Sequence, residues 1–199
     1  MNGTLAGVLA LLFSATVAAQ TTDATVRLRG TIDKIDATSL VVRDRAGHLT
    51  SLVYPADVVV SEVLPIDPQA IQSGAFVGTT AVPRADGTLS AIEVHVFPEA
   101  ARGTGEGHRP WDLQPGSTMT NATVTAVKPG ANDRAITLRY KDGEKTIHVP
   151  DGIPIVTMKA GDKALLVPGA KVIVTEQLRG GQAVATRVLV GRNGFEPPM

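Results

Sequence analysis

Apolar residues recur at every second position through much of the chain, as in Val26-x-Leu28-x-Gly30-x-Ile32 and Ile92-x-Val94-x-Val96. That alternation is the mark of strands burying one face. Turn-forming pairs punctuate it at Ala46-Gly47, Asp86-Gly87, Asp142-Gly143 and Gly180-Gly181, where glycine supplies the backbone freedom that tight hairpins need. The pattern predicts an all-β chain.

Laid against itself, the sequence repeats. Gly30-Thr31-Ile32 recurs as Ala122-Thr123-Val124, Leu40-Val41-Val42-Arg43 as Ile136-Thr137-Leu138-Arg139, and Leu52-Val53-Tyr54-Pro55 as Ile147-His148-Val149-Pro150. Gly74-Ala75-Phe76-Val77 returns as Gly169-Ala170-Lys171-Val172, and the stretch Ala91–Val96 as Ala185–Val190. The offset stays between 92 and 96 and the order is kept, which is duplication with small loop insertions. Each copy reads as five strands, with a segment after the third (67–71 or 162–166) long enough for one helical or 3-10 turn. The expected architecture is two tandem OB-like five-stranded small barrels joined by an irregular strap, closure removing exposed edges. A five-stranded sandwich is the other arrangement that the pattern allows. A unit of about 75 residues buries a modest core and gains by packing on its twin.

The expected boundaries are 1–19 for a signal peptide, 20–98 for the first barrel, 99–118 for the strap, 119–194 for the second barrel and 195–199 for a tail. Residues 4–19 carry no charge and end in Val17-Ala18-Ala19, small side chains at the positions a signal peptidase reads. The run falls short of the ~20 residues that span a bilayer. The expectation is a soluble exported protein, periplasmic or secreted, with no membrane span.

Composition narrows the chemistry. There is no cysteine, which excludes disulfides, thiolate metal sites, a thiol nucleophile and a lipidated N-terminal cysteine. Lys+Arg and Asp+Glu both number 19, and aromatic residues make up only 4%, so nucleic acid is not an expected partner. The balance is uneven along the chain: 6 Lys+Arg against 9 Asp+Glu in 20–98, 2 against 3 in 99–118, and 11 against 7 in 119–199. The neutral total therefore predicts an acidic first barrel and a basic second one.

Residues 98–118, PEAARGTGEGHRPWDLQPGST, break the strand periodicity and carry the single tryptophan, Trp111. A structureless loop of that length is uncommon unless it is functional or disordered, and its mix of Trp, His, Arg and acids favours an ordered strap. The runs His95–Ala100, Arg102–Asp112 and Pro115–Ala122 resemble a signature of exported bacterial proteins built from OB-like domains of unknown function. Some proteins of that group bear the automated label metal ABC transporter permease. The resemblance implies a fold and an envelope location for the mature chain, and no activity.

Two site readings follow. Phe97, Arg102, Arg109, Trp111 and Asp112 form the expected ligand or partner surface. In its structural form Trp111 and Phe97 fill the seam between barrels, and the arginines pair with Glu99, Glu106 or Asp112. The other reading takes Glu93 and His95, on one face of the last strand of the first copy, together with Glu99, Glu106 and His108, as imidazole and carboxylate ligands for a divalent metal such as Zn, Ni, Mn or Cu. The second copy has Arg187 and Leu189 at the places of Glu93 and His95, so the barrel itself does not require that pair. His48 and His148 read as structural. Gly103–Gly107 lacks the Gly-Lys-Ser/Thr ending of a phosphate loop, and no nucleophile elbow occurs. The expected function is a non-enzymatic exported binding or scaffold protein without a cofactor, its partner an unknown envelope protein or small ligand. A metal-binding accessory of envelope transport or homeostasis is the alternative, and oligosaccharide binding on an OB surface is a third reading.

Overall fold

The computed structural model describes residues 25–199, so the signal-peptide expectation lies outside the described residues. The chain forms β1 (Val26–Ile35), β2 (Ser39–Asp44), β3 (Leu49–Val53), β4 (Val59–Pro65), β5 (Phe76–Pro83) and β6 (Leu89–Val96). There follow β7 (Gly107–Pro110), β8 (Thr118–Pro129), β9 (Asp133–Tyr140), β10 (Gly143–Pro150), β11 (Ile155–Ala160), β12 (Lys171–Arg179) and β13 (Gln182–Gly191). The fold is all-β, as the alternation predicts. The two expected short turns are 3-10 turns at Pro68–Ala70 and Lys163–Leu165, whose first amides are capped by the Asp67 and Asp162 carboxylates.

The duplication is visible in hydrogen bonds. Ile32 N donates to Ala170 O and Gly169 N to Ile32 O; at the equivalent places Val124 N donates to Ala75 O and Gly74 N to Val124 O. Bulges match as well, between Ile32 and Lys34 on β1 and between Val124 and Ala126 on β8. Each of these bonds, however, joins one copy to the other.

Strands β1, β2 and β3 form a meander, and the free edge of β1 pairs with β12 of the second copy, Gly30 opposite Val172. Strands β8, β9 and β10 do the same, with the edge of β8 taken by β5 of the first copy, Phe76 opposite Thr123. Parallel pairing of β10 with β6 closes β8-β9-β10-β6-β5 into a five-stranded barrel. In the other set, β3 meets β13 at the single pair Val53–Val184. The tandem expectation, in which each copy closes on itself, differs from these pairings: the copies have exchanged their last hairpins. The cause is β4 and its counterpart β11, which the five-strand count missed. A seven-residue strand carries the chain roughly 23 Å, away from its own meander. β4 and β11 pair antiparallel at the centre, Glu62 opposite Lys159, and link the two sets into one continuous sheet.

Both main cores therefore draw on both halves. One packs Ile32, Leu40, Val42 and Leu52 against Val172, Val174, Val188 and Val190; the other packs Val77 and Val94 against Val124, Ile136, Leu138 and Ile147. A small third cluster holds Val63, Val156, Ile173 and Met199. The segment expected as a tail is packed, with Met199 buried and its main-chain oxygen accepting from Arg29 Nε at 2.8 Å. The exchange also mixes the charges: Arg45–Glu196, Arg84–Asp133, Lys159–Glu62 and Arg192–Glu62 all join the two halves.

Candidate functional site

The outer faces of the two exchanged hairpins both line an open cavity of about 290 Å³. That lies just below the roughly 300–1,000 Å³ range of ligand sites. Strand pairing builds its walls. On one side His95 of β6, Gly78 of β5 and Asn121 of β8 lie directly across from one another. On the other side the equivalent row is Leu189, Ile173 and Arg29, and the next row is Arg187, Thr175 and Arg27. Met119, Met158, Met199 and Phe97 extend the apolar lining. Thr104, Arg109 and Trp111 of the strap line it as well.

Gly78 is required by close approach. A Cβ there would sit 2.4 Å from His95 Cε1 and 2.7 Å from Asn121 Oδ1. The imidazole is only 4% exposed and lies 4.0 Å, ring centre to ring centre, from Phe97. Neither ring nitrogen has a hydrogen-bond partner among the described residues. Burial pushes its pKa down to about 3, so the ring is neutral, with one donor and one acceptor unused. Asn121 donates its amide to Thr104 O at 3.0 Å while its Oδ1 stays unpartnered. The indole N–H of Trp111 is buried and unpartnered too.

The sequence expectation for the polar pair needs correction in one respect. Glu93 and His95 are buried, whereas a simple alternation places them in solvent. A bulge at Ile92, between the pairs Thr80–Glu93 and Ala81–Ala91, turns Ile92 off the barrel core, which Ala91 and Val94 face; Glu93 and His95 stay on the opposite face of β6 and are buried there because other parts of the chain cover them. Glu93 Oε1 accepts from Thr80 N at 2.9 Å and Thr80 Oγ1 at 2.8 Å; burial outweighs these bonds and raises its pKa to about 7.

The remaining metal candidates are engaged elsewhere. Glu99 pairs with Arg102 on the surface, Glu106 accepts from Lys141 N at 3.0 Å, and His108 shares a 2.8 Å hydrogen bond with Thr120 Oγ1 beside Tyr140. Among the described residues no group of three or more His, Asp or Glu is placed to hold a metal ion.

Part of the strap is a strand, since β7 pairs with the first third of β8. Arg109 sets its guanidinium 5.4 Å from the Trp111 ring centre and donates to Gly105 O; it has no carboxylate partner among the described residues. Burial and the nearby Arg27 lower its pKa. Arg27 lies closer, 3.9 Å from the centre of the indole system. Asp112 pairs with Arg29 at 2.9 Å and with Arg27 at 3.5 Å, fastening the strap to β1. Thus Phe97, Arg109 and Trp111 meet at the cavity, Asp112 stands behind it, and Arg102 lies outside on Glu99 and Gly74 O. His48 and His148 contact Asp44 and Asp133. Missed from the sequence were Arg27, Asn121, Met158, Arg187 and Met199. Extending the comparison of copies from His95 and Leu189 to Asn121 and Arg29, or Gly78 and Ile173, marks this wall as the place where the copies differ.

Among the described residues no helix is long and apolar enough to cross a membrane. Comparison with protein-family models, with characterised proteins and with solved structures finds no match.

Proposed function

We propose that this chain is a non-enzymatic binding protein of the bacterial envelope that takes a small ligand into the cavity beneath the strap. The observation that carries the reading is a built site with unused polar atoms: the His95 nitrogens, Asn121 Oδ1 and the Trp111 N–H, all beside an apolar lining. Each such atom left buried without a partner costs about 1–3 kcal/mol, a cost that a matching ligand removes. The leader-like N-terminus and the sequence resemblance support the periplasmic or secreted location. The strand order within each set, three meander strands followed by a parallel return and its hairpin mate, is that of an OB-like barrel. We read the molecule as two such barrels with exchanged final hairpins, the exchange bringing both hairpins to one cavity. An envelope protein that delivers or receives the ligand is the corresponding partner.

Binding of the dye 1-anilinonaphthalene-8-sulfonate to the protein tests this. Saturable enhancement of dye fluorescence is expected, and it is lost when Met158→Trp fills the cavity in a variant whose circular dichroism is unchanged. No enhancement, or enhancement indifferent to that substitution, overturns the reading.

A further inference from the structure

The two walls of the cavity are chemically unlike, although they come from equivalent hairpins. At one end Arg187 and Arg27 flank Thr175 in a single row across β13, β12 and β1. Strands are spaced about 4.8 Å apart, so the two arginine backbones stand roughly 10 Å apart with a hydroxyl-bearing residue between them. Arg187 has no carboxylate partner among the described residues, and neither has Arg109. Asp112 offsets Arg27, though it is shared with Arg29, which also binds Met199 O. Arg187 and Arg27, with Asp112 shared between Arg27 and Arg29, leave this row net positive. On the facing wall lie the neutral His95 ring and Asn121 Oδ1, with the Arg109 guanidinium beside the Asn121 amide, since a Cβ on Gly105 would sit 3.4 Å from one and 3.2 Å from the other. Together the His95 ring and Asn121 Oδ1 offer one donor and two acceptors, the complement of a hydroxyl group, which both donates and accepts. The rest of the lining includes Ile173, Leu189, Met158, Met199 and Trp111.

We infer that the cavity selects a small hydroxylated aromatic carboxylate, its carboxylate held by Arg187 and Arg27 and its hydroxyl by His95 and Asn121. This rests on the proposed binding function. A planar carboxylate suits guanidinium forks, which bind it through paired hydrogen bonds. A flat ring suits a slot walled by methionines and one indole.

Isothermal titration with three probes tests it: 6-hydroxy-2-naphthoate, 2-naphthoate without the hydroxyl, and 2-naphthol without the carboxylate. The hydroxynaphthoate is expected to bind most tightly. Removing the carboxylate weakens binding roughly 10- to 100-fold, the usual effect of losing a charged hydrogen-bonding partner. Removing the hydroxyl weakens it about 5- to 10-fold, the range for a neutral hydrogen bond. Arg187→Ala, at an exposed position, weakens the two carboxylates more than it weakens 2-naphthol. Equal binding of all three probes overturns the ligand class while leaving the binding function standing. Absence of binding by all three probes overturns the ligand class, and the binding function falls with it only where the dye also fails to bind.

Discussion

Glu93→Gln isolates the most perturbed carboxyl group among the described residues. Glu93 is fully buried and its pKa rises from the ordinary 4.5 to about 7. Between those pH values the folded state keeps a proton that the unfolded chain has released, so stability falls as pH rises through the window. At about 1.4 kcal/mol for each tenfold change in proton affinity, the full loss above pH 7 is about 3 kcal/mol. His95 acts with the opposite sign. Its pKa falls from 6.5 to about 3, so the unfolded chain takes up the extra proton and stability falls as pH drops below 6.5. From pH 6.5 to 4.5 the two slopes oppose one another and the wild-type protein is nearly flat. Glutamine keeps an oxygen for the Thr80 donors but cannot ionise. The variant therefore matches wild type near pH 4.5 and exceeds it by about 3 kcal/mol at pH 8, roughly 6–12 °C in melting temperature for a chain of this size. Melting followed by circular dichroism at pH 4.5, 5.5, 6.5 and 8, at constant ionic strength, reads this out. A difference between variant and wild type that does not change with pH refutes the reasoning.

Two other substitutions probe the same framework. Gly78→Ala drives a methyl group into the His95 ring and Asn121 and is expected to cost about 1–3 kcal/mol, with part of the loss recovered by adding His95→Ala; full stability of the single variant contradicts the packing at the cavity wall. Arg192→Ala removes the first hydrogen-bonding cause that holds the buried Glu62 carboxylate below the usual range, with Lys159 the next. Because the folded pKa is lowered, that stabilisation is present above pH 4.5 and lost as pH falls, so the melting-temperature deficit of Arg192→Ala at pH 7 shrinks toward pH 3; an equal deficit at both pH values contradicts it.

The all-β class, the duplication and the turns were legible because alternation and turn chemistry are local. The exchange of hairpins was not, because the repeats present equivalent edges. The bonds that Ile32 makes with Gly169 and Ala170 are the ones that Val124 makes with Gly74 and Ala75, and the sequence holds nothing to choose between pairing within a copy and between copies. Strand β4 was missed because Val58-Val59-Val60 interrupts simple alternation and no glycine turn precedes it. At the site, Trp111, Arg109 and Phe97 stood out by type and place. Burial of Glu93 and His95 escaped because a period of two assigns polar positions to solvent, whereas the cover over them comes from distant segments.

The central claim is that the cavity beneath the strap is a ligand site. Trp111 is the only tryptophan, so its indole N–H gives one resonance in a nitrogen-15 correlation spectrum of the uniformly labelled protein. Titration with 6-hydroxy-2-naphthoate is expected to shift that resonance saturably, in step with the backbone amides of Asn121 and Arg187. An indole resonance that stays in place while the ligand binds elsewhere, or does not bind, contradicts the account.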